Sequence, residues 1–399
     1  MNPITNPYTP GAGTQPRELA GRDELRNKVR ICLERLRIGN SAKSVIMVGL
    51  RGVGKTVLLD KMRQDAEMNG IHTIRIEVPE NKSLPAVLAP VLRLALLRLS
   101  RIDAAKAVAQ RALSALAGLA KSLKLKYQDI EVGLDFDVEP GLADNGDLEI
   151  DLAALFVESG IAAKNAGTVL VLFIDELQYI KQDQFAALIS ALHRCAQQNL
   201  PLAVVGAGLP QLLSIAGEAK SYSERLFDYP IVDKLATQPA TDVIRKPALD
   251  LAVSFEDDAI DEIIKKTDGY PYFLQEWGKH AWDLAVVSPI TKADILQATQ
   301  LTIATLDESF FKVRLERTTP SERRYLKAMA DLGAGPHRSG EIAQQLNKQA
   351  KSLGPVRASL IGKGIVWSPS HGDTAFTVPL FHLYLLRTLK EKPLASNSA

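Results

Sequence analysis

The chain has 399 residues, of which 46% are hydrophobic and 24% charged, as in a soluble globular protein with room for two or three cores. A formal net charge of +2 excludes a global field that would draw in nucleic acid or a membrane, so local charge blocks matter more than the sum. The two cysteines, Cys32 and Cys195, lack CxxC or Cys/His spacing and read as core residues of a metal-free, disulfide-free cytoplasmic protein.

The opening stretch MNPITNPYTPGAGTQPRELAGRDEL has no basic-then-apolar signal layout. The most apolar run, Leu84 to Leu99, is interrupted by Arg93 and Arg98 and is too short to span a bilayer. Residues 1–16, rich in Pro, Gly, Thr and Asn, read as an extended arm. Arg22–Arg37 reads as a helix with Leu25, Val29, Leu33 and Leu36 on one face; arm and helix together make a first segment, 1–43.

SVIMVG (44–49) is a short β-branched run predicting a buried strand. A Gly-rich turn follows, then a helix to about Asn69 and a strand HTIRIEV (72–78), which is parallel βαβ construction. Residues 84–127 predict one long helical segment carrying Arg93, Arg98, Arg101, Lys106, Arg111, Lys121, Lys124 and Lys126 against a single Asp103. Alternating Ile130, Val132, Leu134, Phe136 and Val138 predict a half-exposed strand over 127–139. Asp129 to Glu158 holds ten acidic residues and no basic ones. The two blocks either neutralise each other within an insertion at about 84–150, or leave a basic surface for DNA or a neighbouring subunit.

Strands are expected again at TVLVLFIDEL (168–177), PLAVVGAG (201–208) and FDYPIVDK (227–234), closing a core of 44–240. Residues 241–318 read as helical, 319–392 as a further unit, and 393–399 as a frayed tail.

GLRGVGKT (49–56) satisfies G-x-x-x-x-G-K-[ST]. A strand, a Gly-rich loop and a helix N-terminus aim backbone N–H groups and the helix dipole at an anion. Gly49, Arg51, Gly52, Val53, Gly54, Lys55, Thr56 and Val57 are therefore the candidate phosphate-binding residues. Lys55 is expected to reach the β- and γ-phosphates of ATP or ADP, and Thr56 to hold Mg²⁺. VLVLFIDE (169–176) reads as a strand buried on both faces, ending in Asp175 and Glu176 at the edge where open α/β sheets place ligands. Asp175 is expected in the Mg²⁺ shell, with Glu176 orienting and deprotonating the attacking water.

With both motifs placed, the chain resembles the AAA+ P-loop ATPases, and most of all the origin-recognition-like and STAND-related kinds with a C-terminal winged helix. The resemblance implies a P-loop parallel sheet, a helical lid over 241–318, and a nucleotide-dependent homo-oligomer. It matches ELAGRDEL (18–25) to an element walling the adenine, making Gly21 and Arg22 base-side candidates with Tyr8 and Pro10 nearby. It expects a polar sensor at the end of 201–208, where this chain has only Gly206 and Gly208, with Gln211 farther along. It places Arg225 as a trans-acting arginine finger; the competing reading is a surface arginine paired with Glu224 or Asp228. It also sets Gly269, Tyr270 and Pro271 where the signalling branch carries a nucleotide-contacting GxP and other relatives carry an arginine.

Residues 319–392 look like a winged helix-turn-helix with helices over 319–331 and 339–346, a third helix whose end is 354–364, and a wing over 365–379. The unit is net +6 and the remainder net −4. Lys348, Gln349, Lys351, Ser352 and Arg357 are recognition-helix candidates, with Lys363, Ser370 and His371 on the wing side. Duplex DNA is one expected partner and a docking protein the other, since fold does not prove DNA binding. The sequence thus predicts a slow, switch-like ATPase controlling assembly on DNA, or alternatively a signalling switch acting through protein partners in defence or regulation.

Overall fold

A computed structural model describes residues 1–11, 13–123 and 138–389. The expected strand at 127–139, apart from its last two residues, lies outside them, as do Lys124, Lys126 and the tail 393–399. The chain divides into a sheet unit, Gly21–Gly49 with Gly54–Asp233, and a helical unit, Met1–Ala20 with Leu50–Val53 and Lys234–Ala399.

The sheet unit is built on five parallel strands: β1 (Ser44–Val48), β2 (His72–Glu77), β3 (Leu170–Asp175), β4 (Leu202–Gly208) and β5 (Phe227–Asp228), in the order β2-β3-β4-β1-β5. Every residue of β1, β3 and β4 is buried, which is why these segments read as unbroken apolar runs. β5 is shorter than expected. Pro230 has no N–H to donate, and Ile231 makes one isolated bridge to Val48 while its side chain stays 74% exposed. The helix α1 (Asp23–Arg37) precedes β1, and α2 (Lys55–Met68) connects β1 to β2.

The basic segment expected as one helix is two. Leu84–Leu99 and Lys106–Ser122 are separated by residues 100–105, where Ser100 turns its hydroxyl onto Leu97 O and Ile102 is extended. Their leucine stripes join Leu152, Leu155 and Phe156 of the helix Leu148–Asn165 in the core that covers Ile74 and Ile76 of β2. Arg111 bonds Glu139 at 3.2 Å and Glu158 at 3.4 Å, so the basic and acidic blocks neutralise each other at that point. Asp151 is fully buried and accepts from Asn145 N, Asn145 Nδ2, Gly146 N and Ser122 Oγ, pinning the turn before its helix.

The helical unit holds the helices Thr237–Leu249, Asp257–Thr267, Pro271–Leu284 and Lys292–Thr305, followed by a π turn, Leu306–Phe311. The arm 1–11 runs along Pro271–Leu284. Asn6 Nδ2 donates to Lys279 O and Asp283 Oδ1, Thr9 N donates to Gln275 Oε1, and Trp282 Nε1 donates to Asn2 O. Tyr8 is 2% exposed with its hydroxyl on Ile244 O, so its ring is a core group of this unit.

The last part of the unit runs helix Pro320–Leu332, β6 (His337–Arg338), helix Ser339–Gln345, a 3₁₀ turn Ala350–Leu353, helix Gly354–Gly362, β7 (Val366–Trp367), β8 (Asp373–Phe376) and helix Phe381–Thr388. β6, β8 and β7 form a small antiparallel sheet in that order. A Thr319–Glu322 capping box starts the first of these helices, as its Thr-Pro-Ser-Glu sequence predicts.

Candidate nucleotide site

The phosphate-loop motif takes the conformation that its glycines permit. Gly52 and Gly54 have φ of 83° and 90°, a region that residues with a Cβ rarely enter, and Gly54 is the N-cap of α2 with no side chain bonded over the helix end. Gly49 N donates to Gly208 O at 3.2 Å, which ties the loop's first residue to β4. Lys55 folds back so that Nζ donates to Gly49 O at 2.9 Å, and Thr56 and Val57 follow in the first turn of α2.

Asp175 ends β3 and is 3% exposed. Its Oδ1 accepts from Glu176 N at 2.9 Å and its Oδ2 lies 3.3 Å from Arg75 Nη2. Arg75 comes from β2, and its Nε also reaches Asp60 Oδ1 of α2 at 3.6 Å. Glu176 is half-buried in the left-handed region at φ 56° and opens the 3₁₀ turn Leu177–Tyr179. Its Oε2 accepts from Gln178 Nε2, while Gln178 Oε1 accepts from Leu209 N at 3.0 Å.

Within the helical unit, the loop residues Leu50–Val53 meet the segment around Tyr270. Tyr270 is 2% exposed and its hydroxyl donates to Arg51 O; Tyr272 N donates to Gly52 O at 3.2 Å. A Cβ on Gly52 would come 2.9 Å from Tyr270 Cε1, so the close approach needs glycine there. Tyr272 stacks on Phe310 at 4.7 Å, and the Arg314 guanidinium lies 3.7 Å from the same ring's centroid. Burial, and next the charge of Arg51, push the Arg314 guanidinium down to about 10. Asp268 and Gly269, at φ 50° and 72°, stop one helix, and Pro271 opens the next with Tyr270 as N-cap.

Other expected residues fall elsewhere. Arg22 is the N-cap of α1, and its guanidinium donates to Asp233 O; burial lowers its pKa against the pull of Asp233. Arg225 is exposed in the short helix Ser223–Leu226, and Asp228 is paired instead with Lys28 at 2.9 Å. Lys348 and Lys351 are exposed but precede the helix Gly354–Gly362, in a turn and the 3₁₀ segment. Arg357 is spent internally, on Thr374 Oγ1 at 2.8 Å, Ser368 Oγ at 2.7 Å and Asp373 O at 2.7 Å. Lys363 is likewise held by both oxygens of Glu322, at 2.9 and 2.7 Å, and by Arg317 O.

Sequence reasoning missed Gln178, Arg75 and Arg314. Gln178 carried a signal: it is a buried polar residue two positions past the acidic pair. Arg75 and Arg314 carried none, because their partners are set by strand register and by the π turn.

The set of donors suits a metal held mainly by substrate phosphates. Thr56 and Asp175 offer hard oxygen ligands, and no cluster of three or more His, Cys, Asp or Glu side chains suited to a metal exists among the described residues. Nor is any helix among them long and apolar enough to cross a membrane.

Residues 18–205 match the family described as AAA ATPase domain, and residues 308–385 match a domain of unknown function. The structure is similar to the Walker-type ATPase PABY2304 of Pyrococcus abyssi, with TM-score 0.59 and 16% identity over 93% of this chain and 97% of that one. Matches with a TM-score of 0.46 include the RuvB Holliday junction branch migration motor of Thermotoga maritima, at 18% identity over 93% of this chain and 98% of that one. The ORC1 protein of Aeropyrum pernix, solved in complex with DNA, also scores 0.46, at 13% identity over 94% of each chain. No curated protein sequence matches. Over residues 18–205, then, the chain matches the AAA ATPase domain, and its fold is similar to that of a Walker-type ATPase.

Proposed function

We propose that this chain binds ATP with Mg²⁺ and hydrolyses it slowly, using the nucleotide state to control its assembly on duplex DNA. The ATPase reading is supported by Lys55 at a glycine-capped helix start just past β1 and by Asp175 and Glu176 at the C-terminal end of β3, a parallel strand of the same sheet. Backbone amides of the loop Gly49–Gly54 and the Lys55 ammonium hold the phosphates, with Arg51, Val53 and Val57 lining the approach and Arg22 on the base side. Thr56 and Asp175 would hold the Mg²⁺, which would supply charge neutralisation to the substrate's phosphates. Glu176 accepts a proton from water. The water oxygen bonds the γ-phosphorus, the bond from that phosphorus to the β–γ bridging oxygen breaks, and ADP leaves with the electron pair. Arg225, exposed, is the group offered to a neighbouring subunit's γ-phosphate. Turnover is slow on this reading because Asp175 is already bonded through both oxygens and β4 ends without a polar side chain.

The helix–strand–helix–helix–hairpin order of 320–388 supports reading this unit as a winged helix. DNA contact falls to Lys348 and Lys351, with Arg357 and Lys363 as internal braces. A switch acting through a protein partner is the second reading. It is favoured by the hydrogen bonds from Tyr270 and Tyr272 to the carbonyls of Arg51 and Gly52, made by the segment that fits the GxP of the signalling branch.

Purified protein tests the site directly. Lys55→Ala is expected to abolish ATP binding, and Glu176→Gln to bind ATP while losing about 100-fold in turnover. Wild-type turnover by Glu176→Gln would remove Glu176 as the base. A duplex-DNA shift at about 50 mM salt, absent for both nucleotide states, would remove the DNA arm and leave the protein-partner reading.

A further inference from the structure

We propose that Gln178 is a positioning residue for Glu176, standing in for the polar side chain that β4 lacks; this rests on the ATPase reading above. Gln178 is buried, and its carboxamide uses both ends: Nε2 donates to Glu176 Oε2 and Oε1 accepts from Leu209 N at 3.0 Å, one residue past β4. The room for it is made by glycines. A Cβ on Gly208 would lie 3.1 Å from Gln178 Oε1 and 2.8 Å from Leu212 Cδ2, and one on Gly206 would run into Leu177 Cδ1. The two glycines that deprive β4 of a sensor are therefore what lets the turn Leu177–Tyr179 lie across the strand end.

The consequence for chemistry follows from the direction of the bond. A carboxamide N–H held on Oε2 fixes that oxygen and leaves Oε1 to take the proton from water. Because the same carboxamide is anchored on Leu209 N, Glu176 keeps a fixed aim relative to β4 without any side chain from that strand. On this reading Gln178 acts through Glu176.

Gln178→Glu isolates the donor. It keeps an oxygen for Leu209 N and the same shape, but faces Glu176 with a second carboxyl. The expected result is a kcat about tenfold below wild type with ATP affinity within about twofold, because no N–H is left for Oε2. Gln178→Met, which also removes the acceptor for Leu209 N, is expected to lose at least as much kcat with the same affinity.

Glu176→Gln is assayed alongside. If wild-type turnover does not depend on Glu176, the ATPase reading falls. If it does, and Gln178→Glu shows the wild-type kcat, only the role of Gln178 falls. If both Gln178 variants lose ATP binding and melting temperature together with turnover, Gln178 is a structural brace and the proposal is overturned.

Discussion

Lys363→Met separates a DNA contact from a brace. Burial alone would raise the Glu322 carboxyl, but hydrogen bonds from Lys363, Ser359 and Thr319 N and the Lys363 charge overcome it and hold the group at about 2, against an ordinary 4.5. By linkage that gap corresponds to about 3 kcal/mol for the whole cradle at neutral pH. Lys363 supplies two of its bonds, so replacing the ammonium by a thioether is expected to cost the C-terminal helices about 2 kcal/mol. The sign fixes the pH range. The folded-state pKa is depressed, so the stabilisation is complete above about 4.5 and is lost as pH falls through about 2. Urea unfolding of wild type and Lys363→Met at pH 7, 4 and 2.5 should show a gap that narrows on acidification. If instead the variant unfolds at the wild-type midpoint at pH 7 while its DNA affinity drops and the log–log salt slope falls by about 0.9, Lys363 is a phosphate contact and the brace reading is wrong.

Two further substitutions test the backbone that frames these segments. Gly269→Ala puts a Cβ against Leu235 O at φ 72° and should destabilise the helical unit by about 2 kcal/mol or more in denaturant unfolding; a change below about 0.5 would show that the turn relaxes freely. Asp151→Asn turns an amide N–H₂ toward the donors of Asn145, Gly146 and Ser122 and should cost about 3 kcal/mol, read as faster proteolysis near 144–147; unchanged cleavage would contradict the pinning role.

The parts of this protein legible in its sequence are those governed by local rules. Buried strands announce themselves as apolar runs, and a phosphate loop needs glycine where φ is positive, so β1, β3, β4 and the loop at Gly52 and Gly54 were plain. The break at 100–105 was not, because Ser100 and Ile102 are tolerated in a helix and only tertiary packing stops it there. Charge counting found the net +6 of the C-terminal segment yet could not tell exposed Lys348 and Lys351 from Lys363 and Arg357, whose partners lie 41 and 17 residues away. Nor could it see that Arg75 meets Asp175, since strand register rather than sequence distance joins them.

The helical unit draws on both ends of the chain, and that sets an order of events during synthesis. All five strands of the large sheet lie before residue 234, so a ribosome releases a complete sheet before most of the helical unit exists. Residues 1–11, made before the sheet, wait on the order of tens of seconds for the helix Pro271–Leu284 along which they lie. Tyr8 is without its final surroundings for all that time. The arm's Pro3, Pro7 and Pro10, with Gly11, make it a poor strand, which keeps it from pairing with the growing sheet or with a neighbouring chain while it waits.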